Sequence, residues 1–207
     1  NGDATTVSRE LNEAGVVDAE TLAVEIQTMR RERPLTFGVP HLFSTHHFLL
    51  LQWLRPAGIL PARDVQIMVL PPTLMASCLA SGNIDGYCVG EPYNSLAVQK
   101  GDGVILAESA NLSPLHPEKA LIVSESFDEE NRESHLLMIQ AIQEAAEICE
   151  TVKGRNKVAE ILSGEDYLGL PSELIRSSLF CAEESKEGGL SSENFHVFHH
   201  PEVNCPD

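Results

Sequence analysis

Apolar runs alternate with segments of helical periodicity between residues 34 and 109. The runs have the length and the β-branched content of buried strands, and the segments between them repeat apolar residues every three or four positions. We therefore predict strands at 35–39, 65–70, 86–90 and 103–109, separated by helices at 46–54, 73–80 and 92–100. Strands that alternate with helices indicate an α/β fold with a mainly parallel sheet and flanking helices.

The segments on either side of this unit follow other patterns. Residues 1–17 are polar with a short helical candidate at 8–14, and Asp18 is a suitable cap for a helix that runs to about residue 31. The apolar run at 120–127 predicts one more strand. A long amphipathic helix, about 129–152, should follow, with helices at 155–163 and from Pro171 and an irregular tail at 182–207. The long helix carries a predicted core stripe of Met138, Ile142, Ala145, Cys149 and Val152.

The negative net charge argues against two classes of binding partner. The formal net charge is -17, from 31 acidic and 14 basic side chains. Nucleic acids and anionic membrane surfaces both attract basic proteins, so this charge argues against either partner. A small anion stays compatible, because a local pocket can oppose the overall field.

Cysteine usage favours a reducing compartment. The five cysteines lie at 78, 88, 149, 181 and 205, an odd number with no CxxC pair. We interpret them as mostly reduced thiols, several of them in the core.

Polar side chains gather where the predicted strands end. In open α/β sheets, ligands bind beyond the carboxyl ends of the strands. Ser44, Thr45 and His46 follow the first strand at the start of a helix, whose free N–H groups and positive dipole end favour anions. Thr45 is also an ordinary helix N-cap candidate. Glu91 follows the third strand, where it can orient a neighbouring base, bind a cation or cap the next helix.

Two further features carry weaker signals. Lys119 precedes an apolar run, so its ammonium group faces either a cleft or solvent. The tail holds His196, His199 and Cys205, but without the spacing of a metal site, so we predict no metal ligands and no cofactor. The chain has no phosphate-binding glycine loop, no GxSxG elbow and no HExxH helix. These absences favour a binding protein over an enzyme.

Three stretches together resemble one family. They read THHFLLLQWLRPAGILPARDVQIMVLPP, MASCLASGNIDGYCVGEPYNSLAV and HPEKALIVSESF, in that order. The chain thus resembles the substrate-binding proteins of nitrate and bicarbonate ABC transporters and their cytoplasmic nitrate-sensor relatives, over most of residues 1–180. The resemblance implies a periplasmic-binding-protein type II fold, with an anion held between two lobes.

The resemblance also implies site residues. His46, after Thr45, matches the family's ligand-binding histidine, and Lys119 in HPEKAL matches its lysine. Gly90 and Glu91 in VGEP match residues that line the same cleft. Since a carboxylate repels an anion at contact distance, Glu91 is expected to orient Lys119 or His46.

The family has an N-terminal lobe ahead of the matched stretches, so the chain is expected to be a fragment with an incomplete two-lobe architecture. The implied division is a helical lead-in from the first lobe at 1–33, an α/β second lobe at 34–115, a return strand and helices of the first lobe at 116–181, and an irregular tail at 182–207. Apolar faces without their lobe predict self-association.

The expected function is binding of a small oxyanion, nitrate or nitrite, in an ABC transport system with a permease as partner. That version implies a periplasmic or membrane-associated protein. The alternatives are a cytoplasmic nitrate or nitrite sensor that acts on a regulatory protein, a bicarbonate binder, and an enzyme similar to pyrimidine-precursor synthases.

Overall fold

The computed structural model describes residues 2–28, 33–114, 116, 119–180 and 196–198. The strands within these ranges are β1 (Asp3–Ser8), β2 (Leu35–Val39), β3 (Val65–Val69), β4 (Gly86–Gly90) and β5 (Gly103–Glu108). The helices are α1 (Arg9–Glu13), α2 (Ala19–Thr28), α3 (Thr45–Leu54), α4 (Pro72–Ala80), α5 (Tyr93–Lys100), α6 (Ser109–Leu112), α7 (Glu125–Glu130), α8 (Arg132–Cys149), α9 (Val152–Leu162) and α10 (Ser172–Leu179).

The strands form one mixed sheet in the order β3-β2-β4-β1-β5. β2 pairs in parallel with β3 and β4, whereas β1 lies antiparallel between β4 and β5. The predicted α/β class with flanking helices is confirmed, but the sheet is mixed rather than mainly parallel, because β1 is antiparallel to both of its neighbours. Each strand predicted between residues 35 and 109 is present within one residue of its expected bounds.

Strand β1 was missed by the sequence reasoning. Its sequence DATTVS is polar, yet its first five residues are buried. It lies inside the sheet, where its backbone pairs with strands on both sides and the Thr6 hydroxyl donates to Asn94 Oδ1 at 2.8 Å. The expected helical lead-in therefore begins with a strand of the sheet, and the helix predicted at 8–14 follows it as α1.

Two apolar clusters enclose the sheet. One combines side chains of α1, α2 and α3 with those of β2, and the other combines side chains of α4, β4 and α5. Gly86 allows the close packing where β1, β2 and β4 meet. A Cβ atom on this residue would lie 2.5 Å from Cε1 of Phe37 and 2.9 Å from the carbonyl oxygen of Thr6.

The strand predicted at 120–127 is wrong. Residues 120–124, all of them described, form neither helix nor strand. Helix α7 begins directly afterwards, because the Ser124 side chain accepts the N–H of Phe127 at 3.1 Å and so caps it. The apolar run does not join the sheet, and Ile122 is 86% exposed.

The helical part that follows is loosely covered. The single helix predicted at 129–152 is interrupted at Asn131 and Thr151. α7 ends before the first break, α8 lies between the two, and α9 begins after the second. In the described range Arg132–Cys149, no residue of α8 is buried, so the predicted core stripe is wrong in this structure. Small clusters do form between α9 and α10, around Ala159, Ile175 and Leu179. The division into lobe segments stays a prediction.

The tail from 182 onward lies outside the described residues except for 196–198. His196 rests on the start of β1, and its Nε2 lies 2.7 Å from the carbonyl oxygen of Ser178. Burial lowers the pKa of His196 to about 4. Cys78, Cys88 and Cys149 are free thiols, while Cys181 and Cys205 lie outside the described residues.

Candidate functional site

The candidate site lies at the end of the sheet where β4 and β5 finish and β1 begins. Because β1 runs antiparallel to both neighbours, Asp3 pairs with Gly90 and Ala4 pairs with Glu108. This register brings residues from distant parts of the chain to one edge. The N-terminus of α3, which follows β2, reaches the same edge.

Helix α3 positions two adjacent histidines differently. Ser44, rather than Thr45, is the N-cap: its side chain accepts the N–H of His47 at 3.3 Å. The prediction that Thr45 caps the helix is therefore wrong, and Thr45 is the first helical residue, half-buried beside the site. The His47 ring turns away to the carbonyl oxygen of Leu42, 2.6 Å from Nδ1. Only His46 of this pair meets the sheet edge.

His46 contacts a carboxylate that the sequence reasoning did not single out. Its Nε2 lies 3.0 Å from Oδ1 of Asp3, whose other oxygen lies 3.5 Å from Nε2 of His116. Asp3 is 1% exposed. Burial alone would raise the pKa of Asp3, but the hydrogen bond from His46 and the nearby positive charge outweigh it, so the pKa is lowered. The available signal was an acid two positions before the β-branched run Thr5-Thr6-Val7.

Gly90 and Glu91 lie beside this contact. A Cβ atom on Gly90 would lie 3.3 Å from Oδ1 of Asp3 and 3.6 Å from Nε2 of His46. The Glu91 backbone N–H donates to the carbonyl oxygen of Gly2, and its side chain accepts the N–H of Ser95 at 3.1 Å. Glu91 thus caps α5, which was one of its expected roles. That Glu91 orients Lys119 or His46 stays a prediction, and the Asp3 carboxylate is a contact of His46 that the prediction did not include.

The Glu91 carboxyl is electrostatically unusual. Burial raises its pKa to about 7, since a charged carboxylate is poorly solvated there, and the charge of Glu108 adds to the effect. Glu108 ends β5 and is itself buried. The site edge therefore combines carboxyl groups with imidazoles and a helix N-terminus.

Lys119 differs from the buried residues of this group in its exposure. It is exposed, at the start of the irregular segment that leads to α7. The structure thus brings His46, Thr45, Gly90 and Glu91 to one edge, while Lys119 is three residues beyond His116 along the chain.

The arrangement suits binding better than nucleophilic chemistry. Cys88 lies in β4, two residues before Gly90, and burial raises its pKa to about 12, which suppresses the reactive thiolate. Within the described residues, no group of three or more His, Cys, Asp or Glu side chains is placed to hold a metal ion. The edge places the His46 imidazole, which contacts Asp3, beside the backbone donors of a helix N-terminus.

The α/β sheet with flanking helices has the fold of periplasmic binding proteins. The sequence profile of the NMT1-like family matches residues 1–163. The chain belongs to this family, and the resemblance to the nitrate and bicarbonate ABC substrate-binding proteins is confirmed.

The curated relatives include proteins named as ATP-binding proteins and proteins named as nitrate/nitrite binding proteins. The chain is 34% identical over its whole length to the nitrate import ATP-binding protein NrtC of Synechocystis sp., of which it covers 31%. It is 34% identical over 89% of its length to the bicarbonate transport ATP-binding protein CmpC of Synechococcus elongatus, of which it covers 28%. It is also 29% identical over 79% of its length to the nitrate/nitrite binding protein NrtA of Synechococcus elongatus, of which it covers 37%. The chain thus spans about a third of the length of these relatives.

Solved structures show the same fold. The periplasmic nitrate-binding protein NrtA from Synechocystis PCC 6803 superposes with a TM-score of 0.77 at 24% identity, over 86% of this chain and 46% of that one. The periplasmic aliphatic sulphonate binding protein SsuA from Escherichia coli superposes with a TM-score of 0.64 at 21% identity, over 86% and 51%. Within the described residues, no helix is both long and apolar enough to cross a membrane.

Proposed function

We propose that the chain binds a small oxyanion of the nitrate and nitrite class, as a solute-binding lobe of an ABC transport system. The observation that carries the proposal is the position of His46. It lies at the N-terminus of α3, beside Gly90, at the strand ends where open α/β sheets bind ligands. Membership of the NMT1-like family and the relatives named for nitrate support the same ligand class.

The chemistry of the edge fits an oxyanion. A planar anion with its charge spread over several oxygens accepts hydrogen bonds from several donors at once. His46 and the first N–H groups of α3 supply such donors, and Thr45 and Gly90 line the approach. Lys119 is exposed and supplies a positive charge from the neighbouring segment. Glu91 stays a supporting residue, since its side chain holds the start of α5.

Binding rather than catalysis follows from the chemistry available. The Cys88 thiol is buried with a pKa of about 12, so a cysteine-based reaction at this edge has no activated nucleophile. The solved neighbours are named as binding proteins. We therefore place the chain with solute-binding proteins rather than with synthases of similar fold.

A second candidate is a sensing lobe attached to an ATP-binding subunit. The supporting observation is that NrtC matches all of the chain at 34% identity, while NrtA matches 79% of it at 29%. The chain has no phosphate-binding glycine loop, so the segment it shares with NrtC is not a nucleotide-binding loop. In this version anion binding acts on the attached ATPase rather than delivering a solute to a permease. The first version places the lobe in the periplasm or at the membrane, and the second in the cytoplasm.

Titration with anions tests the shared part of both candidates. We expect nitrate and nitrite, added to the ¹⁵N-labelled chain, to shift backbone resonances around Thr45, His46 and Gly90 saturably, whereas chloride does not. His46→Ala should abolish the response, and Lys119→Ala should weaken it. His47→Ala is the matched control, because His47 is adjacent but bonds to the carbonyl oxygen of Leu42. Equal responses in His46→Ala and the native chain would contradict the proposal.

The two candidates differ in where the anion has its effect. In a protein that joins this lobe to an ATP-binding subunit, the sensing version expects nitrate to change ATP hydrolysis, and His46→Ala to remove that change. An unchanged hydrolysis rate with intact nitrate binding favours the solute-delivery version.

A further inference from the structure

Neither ring nitrogen of His46 faces open solvent. Nε2 lies 3.0 Å from the Asp3 carboxylate, and Nδ1 is buried in the protein. The side chain of His46 is 13% exposed. An external anion therefore reaches a donor on this ring only after one of the ring's contacts opens. On the side of Gly90, that contact is the one between His46 Nε2 and the Asp3 carboxylate.

Asp3 is held firmly in this position. It begins β1, pairs with Gly90 in the sheet and is 1% exposed. Its second oxygen lies 3.5 Å from Nε2 of His116. Gly90 leaves just enough room for the carboxylate, because a Cβ atom there would lie 3.3 Å from Oδ1.

The group that occupies His46 has the chemistry of the proposed ligand. A carboxylate is a planar oxyanion whose charge is shared between oxygens, and imidazolium donates to it in the same way as to nitrate. Two anions cannot both be within contact distance of one donor without strong mutual repulsion.

We propose that Asp3 is an internal competitor for the oxyanion: its carboxylate occupies His46 Nε2 in the free protein, and an external anion binds there by displacing it. This inference rests on the proposed function, and it adds the residue that sets affinity and selectivity at the same site.

Selectivity follows from hydrogen-bond chemistry. Nitrate offers only acceptors, so a displaced but nearby carboxylate repels it. Bicarbonate carries a hydroxyl group, which donates to a carboxylate oxygen while its other oxygens accept from His46. Asp3 therefore weakens nitrate binding more than bicarbonate binding.

The test compares the native chain with Asp3→Asn, which keeps the shape and removes the charge. We expect Asp3→Asn to bind nitrate about tenfold more tightly, the scale of one charged hydrogen bond, and to gain less for bicarbonate. The double variant Asp3→Asn, His46→Ala should lose the gain. Asp64→Asn is the matched control, since Asp64 pairs with Arg63 in an exposed turn.

A second readout does not depend on a variant. In the native chain labelled with ¹³C at aspartate carboxyls, nitrate should move the Asp3 resonance as its contact with His46 opens. Nitrate binding that leaves this resonance still, or that is equally tight or weaker in Asp3→Asn, would overturn the competitor role while the oxyanion function stands. If neither the native chain nor Asp3→Asn binds any of the anions, the proposed function fails, and the competitor role fails with it.

Discussion

The sheet with its flanking helices, here called the sheet unit (residues 2–114), has a buried apolar core, whereas helix α8 leaves its apolar side chains exposed. In the sheet unit, Phe37, Leu50 and Tyr87 are fully buried between helices that cover both faces. In α8, by contrast, Leu137 is 60% exposed and Ile148 is 51% exposed, although the helix is amphipathic. The amphipathic pattern of a helix shows which of its faces is apolar, but that face is buried only where another surface packs against it.

The two regions also differ in their buried polar side chains. Asp3, Thr6, Asn94 and Glu108 are all buried within the sheet unit. Several of them have partners in the flanking helices: the hydroxyl of Thr6 donates to Asn94 of α5, and Asp3 contacts His46 of α3. A unit that can bury polar side chains with partners can also build a ligand site, whereas α8 offers only an apolar face.

The largest expected effect is on the core of the sheet unit. Phe37→Ala should reduce the free energy of unfolding by about 3–5 kcal/mol, because it removes a fully buried ring and leaves a cavity. Leu137→Ala in α8 is the matched comparison and should cost less than about 0.5 kcal/mol, since its side chain is largely in solvent. Urea denaturation of both variants measures the contrast. Similar losses at the two positions would show that α8 is packed in solution.

A smaller effect is expected at the buried edge of the sheet. The folded pKa of Glu91 is about 7, above its ordinary value of 4.5, so the folded state binds this proton more tightly than the unfolded chain. The native chain should therefore lose stability as pH rises from 4.5 to 7 and keep the loss above that range. Glu91→Gln should remove this decline and be more stable at alkaline pH, by about 3 kcal/mol.

Denaturant titrations of Glu91→Gln and the native chain at several pH values measure this difference. Glu173→Gln is the control, because Glu173 is an exposed helical residue whose ion pair is largely in solvent. Parallel pH profiles for Glu91→Gln and the native chain would mean that the Glu91 carboxyl is solvated, and the contrast between buried and exposed regions would weaken.

A substitution in α8 should change the stability of the chain least and should instead change its self-association. We expect the exposed apolar face of α8 to drive self-association of the chain. Leu137→Glu should shift sedimentation towards the monomer and reduce binding of a hydrophobic dye, while the free energy of unfolding changes by less than about 0.5 kcal/mol. Gln140→Glu, on the same helix, controls for the added charge. Monomeric behaviour of the native chain at high concentration would contradict the expectation.

Local patterns predicted much of this molecule. The strands β2 to β5 and the helices between them follow from apolar runs and helical periodicity, because these patterns are local properties of each segment. The positions of His46, Gly90 and Glu91 at one edge follow from the rule that ligands bind at the carboxyl ends of strands. The cap signal at Ser44 was present, although Thr45 was assigned the cap.

Tertiary structure alone decided the rest. DATTVS is largely polar and becomes a buried strand because its backbone pairs with β4 on one side and β5 on the other. ALIV, at 120–123, is apolar and stays irregular because it does not pair with the sheet. Asp3 meets His46 only through the antiparallel register of β1 with β4. Sequence determines what each segment can bury, but which segment is covered, and which charge meets which, depends on neighbours that are distant along the chain.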